Sequence, residues 1–278
     1  MEPKSAIANP EQMILDKALL SLKKGEAQII ADVDSLGMSG RCVEVPWAAA
    51  LLRDSSSVLD IGFSMSPPEW MGVLLRLAES GSRLVGIDII DPNRVKSRYR
   101  ADQVSAVLQI PVRVADFLTA LSEEELFDTV ACISTLEHIG IDRATEPSNM
   151  DTVFARAKSV SELNEFRDPA TDSLFLDAAD RFLSPHGRLI ISVPAGSGGA
   201  ILHQDSLGYY THQFEYGPEQ WAALLSDSRY TVEAEEFYRY DSLRGWERVN
   251  EFVDLTDQTS SLMPYATGCA MVVLRKVD

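Results

Sequence analysis

Val58-Leu59-Asp60-Ile61-Gly62-Phe63-Ser64-Met65-Ser66-Pro67-Pro68 is the stretch on which the reading of the fold turns. A short apolar run ends in an acid and a glycine, the pattern of a buried strand followed by a sharp turn. Pro67 and Pro68 suit the first turn of a helix, where a missing N–H costs nothing. That helix is expected to run to about Ser80 and to stop at Gly81. Downstream the alternation repeats: residues 84–90 (LVGIDII), 112–117 (VRVADF), 127–135 (FDTVACIST) and 187–194 (GRLIISVP) read as further strands with helical stretches among them. Strands alternating with helices predict an α/β fold, Rossmann-like and doubly wound around a mostly parallel sheet.

The ends of the chain have a different rhythm. Residues 230–240 and 269–276 read as two more strands with little helix between them, which predicts a seven-stranded sheet closed by a C-terminal antiparallel hairpin. Upstream, residues 10–30 carry Leu15, Ala18, Leu19 and Leu22 at helical spacing, and residues 41–53 read as a second short helix beginning near Pro46. The expected division is therefore an N-terminal helical extension, 1–56, and a main domain, 57–278. Within the latter, a loop insertion at about 195–217 is rich in Gly, Tyr and His. Long loops of this kind commonly carry function.

Charge narrows the partners. With 25 Lys and Arg against 42 Asp and Glu in 278 residues, the net charge is −17. Such a chain repels phosphate backbones and anionic membranes, so neither nucleic acid nor a membrane is expected as a partner. Three separated cysteines (Cys42, Cys132, Cys269) without CxxC spacing argue against a disulfide framework or a zinc site, and no metal is expected. The start of the chain lacks a signal-peptide pattern, and no apolar run reaches the ~20 residues that cross a bilayer. The expectation is a cytoplasmic protein.

In an open α/β sheet the ligand sits outside the carboxyl ends of the strands. The candidate residues are therefore Asp60 to Ser66, Asp88, Asp116 with Phe117, and Ser134 to His138. Gly62 can adopt positive φ and let a ligand approach the backbone. The GxGxxG pattern that a dinucleotide requires is absent. Asp88, 28 residues after Asp60, can accept both hydroxyls of a ribose, and equally fits a capping Asp at a strand end. Asp116 offers an acceptor for an exocyclic amine and Phe117 an apolar face for a purine; the pair also fits a turn Asp beside a core Phe.

Taken together, VLDIG, LVGIDI, ADF, FDTVACISTLEHIG and FLSPHGRLIISVP resemble the class I S-adenosylmethionine-dependent methyltransferases over roughly residues 57–195, and the last two strands fit that family's closing hairpin. The resemblance implies S-adenosylmethionine as cofactor, with S-adenosylhomocysteine as product. It implies a methionine cradle at Asp60, Gly62 and Ser64, a ribose acid at Asp88 followed by Ile89, an adenine contact at Asp116 with Phe117, and a further cofactor contact at Ser134. Ser64 stands where the family usually has its second glycine. The Leu-Glu-His at residues 136–138 is similar to small-molecule methyltransferases of quinone, sugar and natural-product pathways. The Asn/Asp-Pro-Pro-aromatic signature of nucleic-acid amino-methyltransferases is not present. The segment VEVPW (43–47) resembles one found ahead of the first strand in uncharacterised saccharide-cluster members.

The family's chemistry leaves the nucleophile's proton to the protein. His138 is the side chain best matched to take it at neutral pH, with Glu137 orienting the acceptor or sharing the transfer; the pair also fits a purely structural role in its loop. Between Arg188 and Arg229 the chain has no Lys or Arg, while His203, Asp205, Tyr209, Tyr210 and His212 fall in that stretch. Carboxylates and aromatics without cations suit a neutral or cationic small acceptor. The reading is an O- or N-methyltransferase of a sugar or amino sugar, aminoglycoside-like, in natural-product (antibiotic) biosynthesis. The rivals are a catalytically silent cofactor-binding scaffold and a methyltransferase of a protein or nucleic acid. The N-terminal helices are expected either to cover the active site or to form a homodimer contact.

Overall fold

Alternate residues of each central strand face opposite sides of one sheet, and the two sides carry two separate cores. The computed structural model describes residues 9–121, 125–140, 167–204, 210–256 and 266–277, and gives the backbone only for 200–204 and 210–213. Strands β1 (Ser57–Ile61), β2 (Arg83–Asp88), β3 (Val112–Val114), β4 (Phe127–Ile133) and β5 (Leu183–Pro194) run parallel, and β10 (Gly268–Lys276) runs antiparallel to β5. With β8 (Tyr230–Asp241) and β9 (Gly245–Val249) the sheet has the order β3-β2-β1-β4-β5-β10-β8-β9. The strand order reverses between β1 and β4, which places the ligand crevice at their carboxyl ends.

The first core takes Val58 of β1, Ala131 and Ile133 of β4 and Met271 and Val273 of β10. Three helices cover it: α1 (Pro10–Lys24), α2 (Arg41–Leu51) and α3 (Pro68–Glu79). The second takes Leu59, Ile61, Val130, Cys132, Ala270 and Val272 under α5 (Thr171–Phe182) and α6 (Pro218–Leu225). The short α4 (Val104–Val107) precedes β3. Ile14, Ala18 and Leu22 of α1 share the first core with Trp47 and Ala48 of α2, so both helices of the N-terminal stretch are packed on the sheet face beside α3.

The α/β class and the parallel core are as expected from the sequence, with three differences. The sheet has eight strands, because β9 adds an edge beyond β8. The closing strands β8 and β10 pair antiparallel as expected, with β9 following β8 and with β10 lying between β5 and β8. The expected loop at 195–217 contains a two-stranded antiparallel sheet, β6 (Gly199–Gln204) with β7 (Tyr210–Glu215). Helix α2 also begins five residues before Pro46. Proline inside a helix orphans the carbonyl four residues back. That carbonyl, of Cys42, instead accepts from the Ile30 N–H at 3.1 Å.

Candidate functional site

At the end of β1, Asp60 is wholly buried. Its Oδ1 accepts from Trp70 Nε1 of α3 at 3.0 Å, and its Oδ2 has no hydrogen-bond partner among the described residues. Burial pushes its carboxyl up to about 8, against the Trp70 hydrogen bond and with the help of the Asp88 charge. Gly62 follows with φ +81°, and a Cβ there would come within 2.5 Å of Thr135 Oγ1. The crossing of the β1 and β4 loops therefore needs glycine both for its conformation and for space.

Ser64, where the resemblance leads one to expect glycine, is a tether. Its N–H donates to Asp88 Oδ2 at 2.9 Å, its Oγ donates to the Ile90 carbonyl at 2.6 Å, and its own carbonyl accepts from the Tyr99 hydroxyl at 3.0 Å. Phe63 beside it packs on the sheet at Gly86, where a Cβ would lie 2.5 Å from the ring. Side-chain contacts thus hold this turn where backbone freedom would otherwise be needed.

Asp88 is 8% exposed, and its Oδ1 accepts from the Ile90 N–H at 2.9 Å. Burial raises its carboxyl to about 6, and the amides of Ile90 and Ser64 oppose that rise. Each oxygen retains a lone pair, and Ile89 next to it is an exposed apolar side chain. Asp116 Oδ1 accepts from the Leu118 N–H at 3.0 Å, as a turn residue does. Phe117 is buried, with its ring 5.6 Å from Phe182 in a stacked arrangement and 5.4 Å from Phe175. Its contacts are thus with α5 in the second core.

Beyond β4 the backbone turns through Ser134 at φ +47°, a strained value for a residue other than glycine. Ser134 N–H donates to Ser192 Oγ at 3.0 Å, and its hydroxyl donates to Glu44 Oε2 of α2 at 2.7 Å. Ser192 Oγ donates to the same carboxylate oxygen at 2.8 Å. Glu137 is 3% exposed, with Oε2 lacking a partner among the described residues. Burial pushes its carboxyl up to about 8; its own backbone amide and Arg41 oppose the rise, and Glu44 adds to it. His138 is partly exposed, with Nε2 at 3.9 Å from Glu137 Oε1, beyond direct hydrogen-bond reach.

Ser134, Glu137 and His138 line a cavity of about 120 Å³ together with Arg41, Glu44 and Trp246. Trp246 is buried on β9 and commits its Nε1–H to the Met38 carbonyl at 2.9 Å, leaving its ring as an apolar wall. Arg41, Glu44 and Trp246 were not singled out from the sequence. One signal was present: Glu44 is the only acid in the apolar run CVEVPWAAAL.

Among the sequence candidates, Ser134, Glu137 and His138 line this cavity, while Asp60, Gly62, Ser64 and Asp88 lie around the β1–β2 turn. Asp205 and Tyr209 lie outside the described residues. His203, Tyr210 and His212 lie on the backbone of the β6–β7 hairpin, where His203 pairs with Thr211, Leu202 with His212 and Gln204 with Tyr210. Among the described residues no three His, Cys, Asp or Glu gather as a metal site. Nor is any described helix long and apolar enough to cross a membrane.

No protein-family model and no curated protein matches the chain. Solved structures do. An S-adenosylmethionine-dependent methyltransferase from Methanosarcina mazei superposes with a TM-score of 0.50 at 15% identity, covering 81% of this chain and 93% of that one. A 1,6-didemethyltoxoflavin N1-methyltransferase from Burkholderia thailandensis gives 0.48 at 16% identity, over 99% of this chain and 93% of that one. A glycopeptide N-methyltransferase gives 0.49 at 12% identity, over 87% and 92%. Together with the strand order and its reversal between β1 and β4, the first likeness establishes that this chain has the fold of the S-adenosylmethionine-dependent methyltransferases.

Proposed function

We propose that the chain is an S-adenosylmethionine-dependent methyltransferase acting on the hydroxyl or amine of a small polar metabolite, a sugar or amino sugar. The observation that carries this reading is that buried acids stand at the strand ends on both sides of the strand-order reversal: Asp60 and Asp88 at the ends of β1 and β2, and Glu137 just after β4.

The residues present fit the cofactor. Asp88 keeps lone pairs for ribose hydroxyls, Ile89 offers an exposed apolar side chain to a base, and Asp60 Oδ2 is a buried acceptor without a partner among the described residues. When bound, the cofactor supplies a methyl group already activated as a sulfonium. The chain's own task is then to position the acceptor and remove its proton, and positioning alone is worth up to roughly 7–11 kcal/mol. A carboxyl raised to about 8 is better matched than an ordinary carboxylate to take a proton near neutral pH. In this reading the ionised form of Glu137 accepts the proton, and His138, partly exposed and 3.9 Å away, exchanges it with solvent through a bridging water.

The reading is tested in two steps. Calorimetry with S-adenosylhomocysteine is expected to show micromolar or tighter binding, and absence of binding overturns it. Mass-spectrometric screening of sugars, amino sugars and phenols for an added methyl group then identifies the acceptor. Cofactor binding with no transfer to any of them would favour the silent scaffold.

A further inference from the structure

We infer that Arg41 of α2 and Glu137 after β4 form the acceptor-reading pair of this site, and that the pair selects an uncharged, hydroxyl-bearing ring over a cationic one. The inference rests on the methyltransferase reading and narrows it.

Arg41 Nη1 is buried without a hydrogen-bond partner among the described residues, and Glu137 Oε2 is in the same condition. Both residues line the cavity of about 120 Å³. Buried polar groups seldom remain unpaired, because leaving one unmade costs its full desolvation. The adjacent carboxylate does not relieve either group. Glu44 Oε2 is taken by the hydroxyls of Ser134 and Ser192, and Oε1 stands 3.9 Å from Arg41 Nη1, too far for a hydrogen bond. One orphaned donor and one orphaned carboxyl oxygen thus belong to two residues that line the same cavity.

The chemistry of these two atoms discriminates among acceptors. A hydroxyl accepts from Nη1 and donates to Oε2, and because it both donates and accepts it suits Glu137 in either protonation state. An ammonium group only donates: it pairs with Oε2 but leaves Nη1 unpaired and lies beside a like charge. A carboxylate accepts from Nη1 but must sit against Glu44 and Glu137. Trp246, with its N–H committed to Met38, gives an apolar wall to the rest of a ring. Thus although the chain carries a net charge of −17, the lining of this cavity includes a cation.

The test uses three probes on the full chain saturated with S-adenosylhomocysteine: methyl α-glucopyranoside, its 2-amino-2-deoxy analogue and its uronate. Affinities are read by calorimetry or saturation-transfer NMR. The neutral glycoside is expected to bind at least tenfold tighter than the amine and the uronate. Arg41→Met is expected to cost the neutral glycoside tenfold and to remove its advantage over the amine, and Arg41→Lys to give an intermediate loss. Unchanged S-adenosylhomocysteine affinity in both variants certifies their fold, and Arg41→Lys serves alone if Arg41→Met fails that check. The inference is overturned if none of the probes binds, if the amine binds as tightly as the neutral glycoside, or if the substitutions leave the preference intact. Loss of cofactor binding in the parent chain would instead sink the methyltransferase reading itself.

Discussion

The hydroxyl of Ser134 donates to Glu44 Oε2 at 2.7 Å, tying the strained end of β4 to a helix ninety residues earlier in the chain. Ser192 of β5 donates to the same oxygen. One buried carboxylate thus fixes α2, β4 and β5 together at the wall of the cavity.

Glu44→Ala removes the common acceptor of two buried hydroxyls and the nearest counter-charge of Arg41. Hydrogen bonds to charged groups contribute ~1.5–3 kcal/mol each, so the expected loss for the two is roughly 3–6 kcal/mol. Urea unfolding measures it. Glu44→Gln, which keeps an acceptor oxygen, is expected to recover about half; equal losses for the two variants would show that packing rather than hydrogen bonding is at stake.

Gly62→Ala forces a side chain into the left-handed region and onto Thr135, whose Oγ1 and Cγ2 would lie at 2.5 and 2.6 Å. The φ penalty alone is about 1–2 kcal/mol, and the collision adds to it. Thr135→Ala removes the two nearest atoms but not the strain. The double variant is therefore expected to regain part of the stability, with a coupling energy of at least ~0.5 kcal/mol in a double-mutant cycle.

The pH dependence of stability follows from the direction of the Glu137 and Asp60 shifts. Each acid is raised from its ordinary value, near 4.5 and 3.8, to about 8 in the folded chain. The folded state then holds protons that the unfolded chain releases, so stability from these groups is present at pH 4 and lost as pH rises towards 8. Glu137→Gln, which cannot ionise, is expected to shallow that decline, overtaking the parent above pH 8 in denaturant unfolding. Identical slopes for parent and variant between pH 5 and 8 would contradict the assignment.

Asp88→Asn keeps the shape of the side chain but replaces one acceptor oxygen with a donor, which faces either the Ser64 or the Ile90 amide. S-adenosylhomocysteine affinity is expected to fall at least tenfold, equivalent to ~1.4 kcal/mol, by calorimetry. Ser64→Gly, which loses only the hydroxyl bond to Ile90, is expected to weaken folding by about 1 kcal/mol while preserving most of that affinity.

What the sequence made legible follows from local pattern. The apolar runs of β1, β2, β4 and β5 are buried on both faces and announce themselves. β9, with the sequence GWERV, carries two adjacent charged residues at a sheet edge and lacks such a run. Pro46 drew the start of α2 towards itself, because the bond that excuses it comes from Ile30, outside the helix. The buried acids Asp60 and Asp88 stand at strand ends and could be located by counting from strand to turn. Arg41 and Glu44 could not, since their roles depend on α2 lying over β4 and β5, a tertiary closure that no local window contains. For Phe117, whose position after β3 suggested either a purine contact or a core role, the packing of its ring on Phe175 and Phe182 is likewise a tertiary contact that no local window contains.

The placement of β10 has a bearing on biosynthesis. It is made after every other strand of the sheet, yet it lies between β5 and β8. While the chain emerges from the ribosome, β5 and β8 present bare edges to each other and to neighbouring chains, a template for aberrant pairing. Gly268 and Cys269, which complete the cavity wall, arrive with the same strand. Closure of the sheet and completion of the cavity are therefore one event, and a nascent chain stalled before residue 268 has neither.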